Sequence, residues 1–159
     1  MIYCSYVHSI ITYGIIIWGN SPHSTHIFKI QKRIIRIMTI SRGRDSCRQL
    51  FKRLEILPLK SQYKLSALLF VVKNKDLFTK NQEIHNINTR CNINLHPPVC
   101  NLTVFHKGVY FSGIKLFNHL PPNIKSFSNE INLFKPALKR FLFLHSFYSV
   151  EEYFDYRYN

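Results

Sequence analysis

The stretch from residue 26 to residue 54 leaves the backbone few choices. Placed about 100° apart on a wheel, Ile27, Ile30, Ile34, Ile37 and Met38 fall in one continuous arc. Lys29, Lys32, Arg33 and Arg36 occupy the opposite arc. The pattern predicts an amphipathic helix with its isoleucines turned to a core. No acid stands among the four cations, so this face cannot pair with itself. Arg42, Arg44, Arg48, Lys52 and Arg53 continue the charge beyond a break at Gly43. A solvated helix face is the plain reading of such a pattern. The density of cations without acids points instead to a phosphate-binding surface.

The whole chain repeats that bias. Its 159 residues carry a formal net charge of +14 and a pI near 9.9, a balance that suits nucleic acid or an anionic membrane surface as partner. The apolar fraction of 46% fits a globular protein with a moderate core. Cys4, Cys47, Cys91 and Cys100 show no paired C-x-x-C spacing, which reads as reduced intracellular thiols rather than a disulfide framework. Ile10 to Trp18 is apolar, but no Lys or Arg precedes it and no small-residue cleavage site follows. It is too short to span a bilayer and is not expected to be a signal peptide.

Read in order, residues 3–18 predict a mostly buried helix, weakened at Gly14, with a strand an equal reading of the isoleucine run; Gly19, Asn20, Ser21 and Pro22 end the segment. Thr25 is a candidate N-cap for the basic helix. Ser46 and Gln49 fit a capping box ahead of a short helix from Cys47 to Leu54. Pro58 opens a helix from Leu59 to Lys73, where Leu65, Leu68, Leu69 and Val72 recur at helical spacing. Asparagine and the pair Pro97-Pro98 then break all periodicity. Leu102 to Phe105 is a candidate strand, Tyr110 to Leu120 a helix or strand stopped by Pro121 and Pro122. A last long helix within residues 129–145 must place Pro136 in its first turn, so it should begin near Asn132 to Lys135. Lys135, Lys139 and Arg140 give it a second basic face. Ser149 and Glu152 form another capping box before a short acidic tail helix.

Three segments result: a helical segment over 1–74, an Asn/Pro-rich loop or linker over 75–101, and a C-terminal helical segment over 102–159. The expected class is mainly α, a small helical bundle with a long polar loop and at most one short strand or hairpin.

Chemistry is conspicuous by what is missing. Metal-dependent phosphoryl transfer needs neighbouring carboxylates, and Glu151, Glu152 and Asp155 in the tail are the one cluster of acids in the sequence. Cys91, His96 and Cys100 match only part of a zinc knuckle. There is no Gly-rich phosphate loop, H-E-x-x-H or nucleophile elbow. No catalytic residue and no metal ligand is assigned, and no cofactor is expected.

Several loose motifs fall in a common order. Tyr13-Gly14 through Trp18-Gly19, the run from Ile30 to Ile37, and Leu57-Pro58-Leu59 resemble the end of the reverse transcriptase of non-LTR, jockey-like retrotransposons. His85-Asn86 with Asn88-Thr89-Arg90, Gly113 to Asn118, Leu120-Pro121, and Phe134-Lys135 with Leu138-Lys139 are similar to later motifs of that family. The resemblance implies a thumb-like bundle, and the segment beyond it, gripping an RNA–DNA template-primer duplex. That family's RNA-directed DNA polymerase activity uses Mg²⁺ on palm aspartates, including a Tyr-x-Asp-Asp motif. This sequence has no such motif, palm or fingers.

The expected function is therefore that of a retrotransposon polymerase remnant. It would not be an enzyme on its own, and would bind RNA–DNA hybrid or duplex through phosphates at low specificity. The binding residues would be Lys29, Lys32, Arg33, Arg36, Arg42, Arg44, Arg48, Lys52 and Arg53. Two alternatives stand beside it: a truncated gene model of an active reverse transcriptase, and a basic membrane-surface protein. Self-association, or docking of a missing palm, through the Ile-rich first helix is also expected.

Overall fold

Proline, glycine and a few buried polar side chains decide where the helices of this chain begin, break and meet. The computed structural model describes residues 3–43, 45–85, 94–99, 101, 105–106 and 108–157. Among them are ten α-helices: α1 (Ser9–Thr12), α2 (Ile15–Trp18), α3 (Ser24–Met38), α4 (Cys47–Arg53), α5 (Leu59–Lys73), α6 (Asn81–His85), α7 (Val109–Asn118), α8 (Pro122–Lys125), α9 (Ile131–His145) and α10 (Val150–Asp155). A π-helical segment, Tyr3–His8, precedes α1, and 3₁₀ turns occupy Lys75–Leu77 and Ser126–Asn129. The protein is mainly α, a small helical bundle. No strand occurs among the described residues; Lys80 and Leu95 form an isolated antiparallel bridge. Of the candidate strand at 102–105, residues 102–104 lie outside the described residues and Phe105 is helical.

Two compact units share the chain: residues 1–65 with 138–159, and residues 66–137. In the first, α3 turns an unexpected face inward. Ser24, Phe28, Gln31 and Ile35 are buried, whereas Ile30 is 47% and Ile37 68% exposed and Ile27, Ile34 and Met38 are half-buried. The expected isoleucine face is thus wrong by roughly a quarter turn at about 100° per residue. Phe28 stacks on Phe51 at 6.2 Å and meets Tyr148 edge-on at 5.0 Å. Gln31 donates to the Tyr3 hydroxyl (2.8 Å) and the Leu57 carbonyl (3.2 Å), and accepts from the Leu59 N–H (2.9 Å). An aromatic contact together with a fully bonded buried amide outweighs the exposure of two isoleucines.

The N-terminal segment also departs from one mostly buried helix. Gly14 adopts φ +59, a left-handed conformation that suits glycine, and splits α1 from α2. Ile11 and Ile15 are buried, but Tyr6, Ile10, Tyr13 and Ile17 are exposed. Gly19 is needed for space: a Cβ there would lie 2.5 Å from the Ile15 carbonyl oxygen and 2.6 Å from a ring carbon of Tyr63.

Caps divide between expectation and correction. α5 starts directly after Pro58, and the Ser149 hydroxyl accepts from the Glu152 N–H at 2.9 Å. α3 starts before Thr25, at Ser24, and Ser46 makes no side-chain cap bond. α9 begins at Ile131, so Pro136 sits inside the helix rather than in its first turn. Its missing N–H costs the helix one backbone bond, and buried Phe134, Leu138, Phe141 and Leu142 hold the helix in place around it.

In the second unit, Val71, Phe78, Phe111, Ile114, Phe117 and Ile124 are buried. Phe78 stacks on Tyr110 at 4.8 Å. A Cβ on Gly113 would come 2.7 Å from a methyl of Val71, so α7 lies close to the end of α5. The Asn118 side chain both donates to the Leu95 carbonyl and accepts from its N–H, each at 2.8 Å. One amide thereby satisfies both backbone groups of a buried loop residue.

Candidate nucleic-acid interface

Helices α3 and α4 pack against each other, so the two basic stretches belong to one unit. The route between them is held by Asp45, whose carboxylate accepts from the Arg42 N–H at 2.8 Å. Cys47, at the start of α4, is buried with its thiol 3.9 Å from the Lys32 carbonyl.

The predicted cations separate into two groups. Lys29, Arg33, Arg42, Lys52 and Arg53 are exposed. Lys32, Arg36 and Arg48 are half-buried; the quarter-turn rotation of α3 carries Lys32 and Arg36 toward its packed side. Arg44 lies outside the described residues. Lys32 stands 4.9 Å over the Phe28 ring and 5.9 Å over Tyr148. Arg48 lies 4.6 Å over Tyr148 and pairs with Glu152 at 2.7 Å. These are cation–π contacts on an aromatic seat.

Tyr148 was not among the residues singled out by sequence reasoning. Its pattern signal is weak, since one tyrosine among many aromatics near the tail has no periodic partner. Its hydroxyl is buried without a hydrogen-bond partner, as is Nε of Arg36. Burial pushes the Tyr148 phenol up to about 12, although nearby Arg48 and Arg36 act against that rise. Arg36 also donates to the Asp45 carbonyl at 3.4 Å.

The arrangement is a basic rim on a packed base. The Lys32 and Arg48 head groups lie over aromatic rings and Arg36 reaches the Asp45 carbonyl, while the other described cations of the set are exposed. Arg48 pairs with Glu152, whereas among the described residues no ion pair engages the exposed Lys29, Arg33, Arg42, Lys52 or Arg53. The other basic face, Lys135, Lys139 and Arg140 on α9, is exposed too.

No group of three or more His, Cys, Asp and Glu side chains able to hold a metal occurs among the described residues. Cys91 and Cys100, two of the three residues in the partial zinc-knuckle pattern, lie outside them. Glu151, Glu152 and Asp155 all fall on α10, where Glu152 is engaged with Arg48 and with the Tyr148 N–H at 2.7 Å. No described helix is long and apolar enough to cross a membrane. Comparison with protein-family models, with curated proteins and with solved structures returned no match.

Proposed function

We propose that the chain is a nucleic-acid-binding module that grips a duplex, RNA–DNA hybrid included, by its phosphates through α3 and α4. One observation carries this reading: two packed helices of a single unit present Lys29, Arg33, Lys52 and Arg53 to solvent, and none of these four is held in an ion pair among the described residues. Uncompensated cations at that density gain most from a polyanion, through release of its condensed counterions. The resemblance to the thumb and following segment of a retrotransposon reverse transcriptase supports the same partner and adds descent from a polymerase. No base-reading constellation accompanies the cations, so binding should be indifferent to sequence.

Fluorescence anisotropy of a labelled RNA–DNA hybrid across a salt series tests this. If about five phosphates are neutralised, log K should fall with log salt at a slope of roughly −4 to −5 on B-form duplex. Lys29→Gln with Arg33→Gln should make that slope shallower by roughly two, at unchanged thermal stability. A salt-independent affinity, or a preference for anionic vesicles over duplex in competition, would refute the proposal.

A further inference from the structure

The second unit carries a partly open cavity of about 630 Å³, an ordinary volume for a small-molecule site. None of its lining residues belongs to α3 or α4, so it stands apart from the proposed duplex surface. Val71, Val72, Phe78, Leu95 and Phe117 give it apolar walls, and all five are buried. Lys75, Lys80 and Lys125 line it as well, with two acids, Asp76 and Glu83.

Neutral oxygens accept from two of these lysines. The Lys75 ammonium donates to the Asn129 side-chain oxygen at 2.9 Å. That of Lys125 donates to the Asn94 side-chain oxygen at 2.9 Å and the Asn118 carbonyl at 2.7 Å. Glu83 accepts from the Lys80 backbone N–H at 3.3 Å at the start of α6. Lys75 is held below the usual lysine range by burial and then by the charge of Lys80. Lys75, Lys80 and Lys125 outnumber the two carboxylates on this lining, and a net positive wall beside apolar surface suits an oxyanion. The hydroxyls of Thr79 and Ser128 on the same lining can donate to oxyanion oxygens.

We propose that this cavity binds a small organic phosphate, its head set between Lys75 and Lys80 and its apolar body on Val72 and Phe117. The phosphate could be carried by a free solute or by a phospholipid headgroup.

The test is an amide NMR titration of the full ¹⁵N-labelled chain with phenyl phosphate, beside benzyl alcohol as the same body without charge. Saturable shifts at Thr79, Phe117 and Ser128 are expected, with phenyl phosphate bound at least about tenfold more tightly than the alcohol. Lys75→Gln and Lys80→Gln should each weaken it about tenfold, while Lys73→Gln, exposed on α5 and outside the cavity, should not. Should either variant lose the native spectrum, Ser128→Phe serves instead, its ring filling the cavity and abolishing the shifts. Competition by phosphatidic-acid vesicles would assign a lipid source; no competition would assign a free solute. Equal binding of the uncharged alcohol, unsaturable shifts, or wild-type affinity in both lysine variants would overturn the proposal.

Discussion

Lys64 is the residue whose surroundings conflict most with its chemistry. It is fully buried, donates to the Ser149 carbonyl at 2.8 Å and the Lys60 carbonyl at 3.4 Å, and lies over the Phe147 and Tyr153 rings at 5.4 and 5.6 Å. Burial pulls its pKa down to about 7, partly opposed by Glu152 and Glu151 and reinforced by Lys60. An unfolded lysine keeps its proton to about pH 10.4. Between those values the unfolded chain binds more protons than the folded one, so this site makes stability rise as pH rises from about 7 toward 10. Tyr148, pushed up rather than down, acts in the opposite sense, but only above about pH 10. Urea denaturation should therefore show greater stability at pH 9 than at pH 7, by at most about 1.4 kcal/mol per pH unit for one proton. Lys64→Met should flatten the rise. A wild-type curve that is level over this range would contradict the assignment.

At the scale of the element, helix existence was far more legible in the sequence than helix orientation. Pro58, the leucine spacing after it and the Ser149 cap act through neighbours along the chain, and α5 and α10 appear where those signals put them. The inward face of α3 depends on partners far away: Tyr3, Leu57, Phe51 and Tyr148. A helical wheel contains none of them, so it ranked isoleucines above Phe28 and Gln31. The nine-residue basic site was legible as composition. Its division into an exposed rim and an aromatic-seated base was not, because Tyr148 is remote in sequence. The same lesson bears on α1 and α2, where Tyr6, Ile10, Tyr13 and Ile17 form an exposed series at helical spacing. Such a patch makes a soluble chain associate. Ile10→Ser with Ile17→Ser should lower the sedimentation coefficient at high concentration and change stability by no more than about 0.5 kcal/mol. Ile15→Ser, at a buried position, should cost about 2–4 kcal/mol. A monomeric wild-type chain would contradict the first expectation.

For the whole molecule, the polymerase resemblance and the acids point in different directions. The eight carboxylates are Asp45, Glu55, Asp76, Glu83, Glu130, Glu151, Glu152 and Asp155, and none stands in a Tyr-x-Asp-Asp motif. Purified chain should incorporate no nucleotide on a primed RNA template with Mg²⁺ or Mn²⁺, and primer extension would show otherwise. The first unit draws on both ends of the described chain. Ser61 bonds the Phe147 carbonyl at 3.1 Å, Lys64 reaches Ser149, Arg48 holds Glu152, and Tyr148 closes over Phe28 and Phe51. A ribosome delivers those partners in sequence order. After residue 65 it must add residues 66–137 before the first of the closing segment is made, an interval of about 4–14 s at roughly 5–20 residues per second. Through that interval Phe28, Phe51 and the Lys64 ammonium have no tail to cover them, and the unit that is begun first is the one finished last.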